Sequence, residues 1–296
     1  MMSTKKVVFQ GEPGANSHIA CNNVFPEFEA LPMATFEDCF NAIQKDEADL
    51  GMIPVENSVA GRVADIHHLM PTSGLNIIGE YFLPIHHQLV GLRGTKLDDV
   101  ESIQSHVMAL GQCRKVIRDM GVKAVIGADT AGSARQIAEW GDASKAAISS
   151  DLAADIYDLD ILKPNVEDED HNTTRFIILS KYPIKADAGN GPVITTLVFR
   201  VRNVPAALFK AMGGFATNGV NMTKLESYQT GGKFFATQFY ADIEGHPNDA
   251  NVKLALEELE FFSAELKVLG VYPAHEYRLK IAEPQENREL RPSPGI

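Results

Sequence analysis

Asn172-Thr173-Thr174-Arg175-Phe176-Ile177-Ile178-Leu179-Ser180 opens on polar residues and continues into an apolar, partly β-branched run, which predicts a strand over Thr174–Ser180. It follows the acidic loop Glu167–Asp170 and is placed to return the chain to the first half of its domain. Ahead of it, short apolar runs alternate with helical patterns, the rhythm of an α/β fold. Strands are expected at Lys6–Gln10, Asp49–Val55, Leu75–Leu83, Ile85–Leu92, Val100–Ser105, Lys123–Ala128 and Lys145–Ser149. Helices are expected at Ser17–Asn22, Thr35–Asp46, Val63–Met70, Val107–Asp119, Thr130–Trp140 and Ser150–Tyr157. In Thr35–Asp46 the residues Phe36, Cys39, Phe40 and Ile43 form one apolar helix face.

Beyond this unit lies Lys185-Ala186-Asp187-Ala188-Gly189-Asn190-Gly191-Pro192, a stretch with the composition of a linker. The order then changes to strand (Ile194–Val201), helix (Pro205–Thr217), strand (Val220–Ser227), strand (Lys233–Asp242), helix (Asp249–Ser263) and strand (Glu265–Val271). That βαββαβ order is the ferredoxin-like pattern. Residues 283–296 are polar with two prolines and read as a loose tail. A length of 296 residues agrees with two domains.

Hydrophobic residues make up 45% and charged ones 22%, the balance of a folded chain. Residues 1–185 hold 16 basic and 26 acidic side chains, net −10, and residues 186–296 hold 11 and 13, net −2. No basic stripe is present, which argues against a nucleic-acid partner. No apolar run approaches the roughly 20 residues of a spanning helix, so membrane insertion is not expected. The start, Met1-Met2-Ser3-Thr4-Lys5-Lys6, lacks the apolar core of a secretory signal. Cys21, Cys39 and Cys113 are far apart without a C-x-x-C pair, so a reducing, cytoplasmic setting is expected.

Small and polar residues gather where strands give way to helices: Gly11–Ser17, Pro54–Gly61, Ser105-His106, Asp129-Thr130 and Ser149-Ser150. Free N–H groups at such junctions suit anions, and ligand crevices of open α/β sheets lie there. Ser17, Ser58, Thr130 and Ser150 read equally as helix N-caps. The glycine loop has neither dinucleotide nor P-loop spacing. His67-His68 and His86-His87 are adjacent pairs whose side chains diverge, so they read as surface or packed histidines, and no metal or cofactor is expected.

Asn172-x-Thr174-Arg175-Phe176 resembles the signature of the prephenate dehydratase family, and other segments follow in that family's order. Pro54-Val55-Glu56-Asn57-Ser58, Ser105-His106 with Gln112-Cys113, and Thr130-Ala131 resemble its further blocks, and the βαββαβ segment resembles its ACT regulatory domain. The resemblance covers roughly residues 5–282. Glu12, Ala15 and Asn16 depart from the family's glycine loop, as do Val107 and Met108 from its Ser-His-Pro-Gln block. Pro205-Ala206-Ala207-Leu208 stands for Pro-Gly-Ala-Leu, and Glu226-Ser227-Tyr228-Gln229 for Glu-Ser-Arg-Pro.

The resemblance implies an α/β fold: a two-lobed, periplasmic-binding-protein-like catalytic domain with a central cleft, followed by a ferredoxin-like ACT domain. The expected boundaries are 1–185 (lobe one 1–81 plus 170–185, lobe two 82–169) and 193–282. The implied reaction expels CO2 and water from prephenate to give phenylpyruvate, without cofactor. Hydroxide leaves poorly, so a donor at the ring hydroxyl is the main requirement, and Thr174 is the candidate. His106 is the other candidate acid, or a residue orienting its junction. Asn57, Ser58, Ser105, Gln112 and Thr130, with Gly14 and Ser17 of the glycine loop, are substrate-binding candidates, and Phe176 an apolar wall. Glu56 would orient a donor rather than touch a carboxylate. Arg175 is the expected substrate-binding carboxylate fork, which reaches the cleft if the strand bends, since neighbours on a strand point to opposite faces; packing on the acidic loop 167–170 is the alternative. If it is the fork, neutralising it weakens substrate binding strongly. An acidic domain needs a locally positive cleft, to which Arg62 and helix N-termini would contribute. Ala206, Ala207, Leu208, Asn221, Glu226 and Ser227 are the implied sites for L-phenylalanine as effector, acting on lobe closure through the linker. A lone ACT-type sheet leaves a face and an edge open, so a homodimer or homotetramer is expected. Arogenate as substrate, or a non-catalytic two-lobed sensor, are the alternatives.

Overall fold

The computed structural model describes residues 4–184, 186–189, 191–202, 204–229 and 238–281. The expected tail 283–296, part of the strand expected at Lys233–Asp242, and two linker positions, Lys185 and Asn190, lie outside them.

The chain begins with β1 (Lys6–Gln10), α1 (Asn16–Val24), β2 (Glu29–Met33), α2 (Phe36–Gln44) and β3 (Leu50–Asn57). β4 (Gly61–Arg62), α3 (Ala64–Ser73) and β5 (Asn76–Pro84) complete this half. The chain then crosses to a separate sheet made of β6 (Gln88–Leu92), β7 (Ser102–Ser105), β8 (Lys123–Ile126), β9 (Lys145–Ser149) and β10 (Leu159–Lys163). Its order is β10-β6-β9-β7-β8. α4 (Val107–Gln112) and α5 (Arg114–Met120) cover one face, and α6 (Thr130–Trp140) and α7 (Asp151–Ile156) the other. β11 (Thr173–Ser180) returns to the first sheet and lies between β3 and β5, antiparallel to both. Two lobes with independent sheets result, joined by the segments around Ile85–His87 and 164–172.

The C-terminal unit runs β12 (Val193–Val201), α8 (Ala207–Thr217), β13 (Met222–Tyr228), β14 (Gln238–Glu244), α9 (Ala250–Phe262), β15 (Ser263–Pro273) and α10 (Glu276–Ile281). Its strand order, β13-β14-β12-β15, is ferredoxin-like. One sheet face packs on α8 and α9 through Leu197, Phe199, Phe239 and Ile243. The opposite face carries Ile194, Val198, Tyr240 and Tyr272 into the core of lobe one, against Ile66 and Met70 of α3. Each such buried side chain contributes about 1.5–3 kcal/mol, so the contact is a shared core. β15 also pairs with β5 at Gly270 and Ile77, making one ten-stranded sheet. The sheet face expected to await a second chain is therefore covered within the chain itself.

Local signals explain most boundaries. Thr35 and Asp38 form a capping box on α2, and Cys39, Phe40 and Ile43 are buried as their spacing requires. Of the four expected N-caps only Ser150 serves as one, receiving the Ala153 N–H. α6 is capped by Asp129, not Thr130, and the helices near Ser17 and Ser58 start elsewhere. β2 and β10 were not expected. β2 contains Pro32, which an edge strand tolerates, and β10 is an exposed edge strand whose ladder is irregular near Lys163. All three cysteines are unpaired and buried. No helix among the described residues is long and apolar enough to cross a membrane.

Candidate active site

Between the lobes lies a cleft of about 390 Å³. Lobe one contributes Gln10, Gly11, Ser17, Asn57, Thr174 and Phe176, lobe two His106, Met108, Gln112 and Thr130, and the connecting segment His87. These positions follow the carboxyl ends of β1, β3, β7 and β8, where α/β sheets bind ligands. A wider surface hollow of about 530 Å³ at His86 is lined by four carboxylates, Glu167 to Asp170, which repel anions.

The cleft floor is a chain of polar side chains from both lobes. Thr174 and Asn57 are directly opposed on β11 and β3. Asn57 Oδ1 accepts the N–H groups of Val59 (3.0 Å) and Ala60 (2.7 Å), which fixes the amide orientation. Its Nδ2 therefore donates to Thr174 Oγ1 at 2.9 Å and to Asn172 Oδ1 at 2.7 Å. Asn172 Nδ2 donates to Gln112 Oε1 at 3.0 Å, and His87 Nε2 reaches the same oxygen at 2.8 Å. An oxygen acceptor requires the His87 proton on Nε2, and burial pushes its pKa below the ordinary histidine value. Two groups are thereby left for a ligand: the Thr174 hydroxyl proton and the Gln112 Nε2 amide, neither of which donates to another described residue. His106 caps α4, its Nδ1 accepting the Met108 N–H at 3.3 Å, so its neutral form holds the proton on Nε2.

Arg175 is not in the cleft. Side chains alternate along β11, so it points to the opposite face, where it is 2% exposed. Its Nε donates to Glu80 (2.9 Å), Nη1 to Glu56 (2.9 Å) and Asp242 (2.6 Å), and Nη2 to Tyr272 (3.1 Å). Neither the carboxylate fork nor packing on the acidic loop is observed. Glu56 lies beside it: burial raises its carboxyl, but Arg175 and Lys224 outweigh that and hold it below the usual range. Ser105 is fully buried and donates to the Ile148 carbonyl. Ser58 receives the Thr173 N–H and donates to the His171 carbonyl, fastening the returning segment. Arg62 turns away to Glu226. Among the described residues lining the cleft there is no lysine or arginine.

The glycine loop is docked on lobe two. Ser150 donates to the Gly14 carbonyl, Tyr157 to the Pro13 carbonyl at 2.9 Å, and Arg135 pairs with Glu12 at 3.4 Å. Gly14 has φ +89°, and a Cβ there would lie 2.6 Å from Ala153 Cα, so this contact needs glycine. α6 and α7 have side-chain caps at their N-termini, whereas α1 has none, leaving its first N–H groups near Ser17 open to the cleft. No group of three or more His, Cys, Asp or Glu among the described residues converges to hold a metal ion.

The effector candidates scatter. Ala206 adopts φ 59°, a left-handed conformation that glycine takes more readily, and Ala207 and Leu208 begin α8. Glu226 is paired with Arg62 and Lys224, and the Ser227 carbonyl accepts from Arg62. Asn221, bonded to Glu244, lies at the other end of the sheet. His87 and Asn172 are the site residues that sequence reasoning missed. Asn172 stands inside the quoted signature, and His87 had no local signal, since its partner lies 25 residues away.

A profile of the family described as prephenate dehydratase matches residues 7–183. A Komagataeibacter europaeus protein named bifunctional N-acyl-homoserine lactone acylase/prephenate dehydratase is 47% identical over 280 residues, covering 95% of this chain and 100% of that one. An Arabidopsis thaliana protein named arogenate dehydratase/prephenate dehydratase 1 is 34% identical over 92% of this chain and 72% of its own length. Among solved structures, an Arthrobacter aurescens prephenate dehydratase in complex with L-Phe is 30% identical with a TM-score of 0.84, over 92% of this chain and 90% of that one. A quorum-quenching acylase, GqqA, is 47% identical with a TM-score of 0.88, over 93% and 100%.

Proposed function

The chain belongs to the prephenate dehydratase family, lyases that remove water and carbon dioxide, and we propose that the cleft's own residues do so through the Thr174 hydroxyl. As the bond from the ring to its carboxylate breaks, that electron pair enters the ring and the ring hydroxyl departs. The departing hydroxide takes a proton along the hydrogen bond from Thr174 and leaves as water, and the Thr174 oxygen is reprotonated from solvent. The observation that carries this reading is the 2.9 Å bond from Asn57 Nδ2 into Thr174 Oγ1, which leaves the hydroxyl proton pointing to a ligand and steadies the oxygen as it loses that proton. Gln112 Nε2, His106, Thr130 and the α1 N–H groups near Ser17 supply donors for the carboxylates and ketone. Phe176 walls the ring. Arg175, Glu56, Ser58, Ser105 and Gly14 support this frame without touching substrate.

The C-terminal unit is read as an ACT-type domain that binds L-phenylalanine. Its βαββαβ order supports this, as does likeness to a prephenate dehydratase crystallised with that amino acid. Exposed Phe209 and Phe261 on its outer helices and the open edge of β13 fit a homodimer or homotetramer. A second activity, cleavage of an N-acyl homoserine lactone amide, is favoured by one feature: Met108, 43% exposed, and Val63 and Ile85 line the cleft as a surface for an acyl chain. Assaying prephenate, arogenate and an N-acyl homoserine lactone side by side, with and without L-phenylalanine, tests the substrate and effector readings, and sedimentation tests the assembly. Phenylpyruvate from prephenate, suppressed by L-phenylalanine, is the expected result, and no turnover of prephenate contradicts it.

A further inference from the structure

We propose that Asp242, in the C-terminal unit, is a positioning residue for the dehydratase reaction, acting through Arg175 on the Thr174–Asn57 pair. This rests on Thr174 being the proton donor. Two register pairs on β11 and β3 lie side by side: Thr174 opposite Asn57 and Arg175 opposite Glu56. Alternation sends the first pair into the cleft and the second behind it. The Arg175–Glu56 bond, 2.9 Å, is therefore the back of the catalytic pair, one residue away on each strand. The ladder shifts register immediately beyond it, between Arg175 and Phe176, so fewer regular bonds fix this end of the two strands.

Arg175 is held from the other side by the C-terminal unit. Asp242 on β14 is fully buried and meets Arg175 Nη1 at 2.6 Å, while its second oxygen accepts from Thr196 at 2.6 Å. Thr196 and Tyr272 are 2.7 Å apart, and Tyr272 accepts from Arg175 at 3.1 Å. Asp242 and Glu56 share one guanidinium nitrogen, so any displacement of β14 redistributes the pull on Glu56. The Arg175–Asp242 half of this network is buried and little screened, whereas the Glu56 side chain is 34% exposed and partly screened. This route runs by direct contact and does not pass through the interdomain linker.

The test uses the full chain with Asp242→Asn and Tyr272→Phe, each alone and combined with Thr174→Ala. We expect folded Asp242→Asn to lose at least about ten-fold in kcat with KM changed less than about three-fold, and to cause no further loss once Thr174 is alanine. A purely structural role would lower both backgrounds equally, and that result, or a folded variant with wild-type kcat, overturns the proposal. Should Asp242→Asn fail to fold, Tyr272→Phe carries the test, with an expected kcat loss of about three- to ten-fold that vanishes in the alanine background. A wild-type kcat for Tyr272→Phe then overturns it. Normal turnover by Thr174→Ala alone would instead sink the active-site reading, an outcome visible separately.

Discussion

Asn57 decides what Thr174 can do. With its carbonyl oxygen held by two backbone N–H groups, its amide nitrogen is directed at Thr174 and makes that oxygen an acceptor. Asn57→Asp replaces the donor by a second acceptor, so the Thr174 proton turns toward the new carboxylate and away from substrate. We predict a kcat loss of roughly 10²–10⁴, close to that of removing Thr174, with the fold intact by circular dichroism. Asn57, Gln112 and Thr174 could be read in the sequence because each stands in a recognisable block. Arg175 was read into the cleft as a carboxylate fork, although the two-residue period of a strand already opposed its sharing a face with Thr174. Its partners were not legible, because Glu80, Asp242 and Tyr272 are 95, 67 and 97 residues away. His87 escaped for the same reason: pairing it with Gln112, 25 residues away, requires lobe two to be folded.

Strands and helices with a clear period or cap were legible, whereas two of the four edge strands, β2 and β10, were not. The α2 face followed its apolar spacing, while β2 contains a proline and β10 is half exposed. The joining of β15 to β5 had no local signal, because it depends on one close approach. A Cβ on Gly270 would lie 2.2 Å from the Ile77 carbonyl oxygen, a backbone atom that cannot step aside. Gly270→Ala should therefore destabilise the chain by about 1–3 kcal/mol, the range for overpacking, measured as a lower midpoint in urea at unchanged slope. A midpoint equal to wild type would show that the two sheets are not joined there.

At the scale of the whole molecule, charge and the shared core set the behaviour. A catalytic half of net −10 encloses a cleft lined by hydrogen-bond donors and one carboxylate, the α6 cap Asp129, so a dianionic substrate is repelled at long range and held at short range by the donors. Raising ionic strength should lower KM for prephenate by about two-fold between 10 and 150 mM salt, since screening removes the repulsion and leaves the hydrogen bonds. A KM that rises with salt would reveal a cation in the cleft. Burial keeps His18, His67 and His87 below the ordinary value of about 6.5, so the unfolded chain binds more protons in mild acid. Stability is then lost as pH falls below about 6.5 toward the folded values. At Glu56, Glu80 and Glu226 burial raises the carboxyl, but arginine and lysine partners outweigh it, and their loss follows below about 4.3. The thermal midpoint should fall between about pH 7.5 and 5.5, and a flat midpoint would contradict neutral buried histidines. Proton donation by Thr174 is tested most directly by phenylpyruvate formation by Thr174→Ala beside Thr174→Ser. We expect a kcat loss of roughly 10²–10⁴ for alanine at near-constant KM, with serine within about ten-fold of wild type. Near-normal turnover by the alanine variant would contradict it.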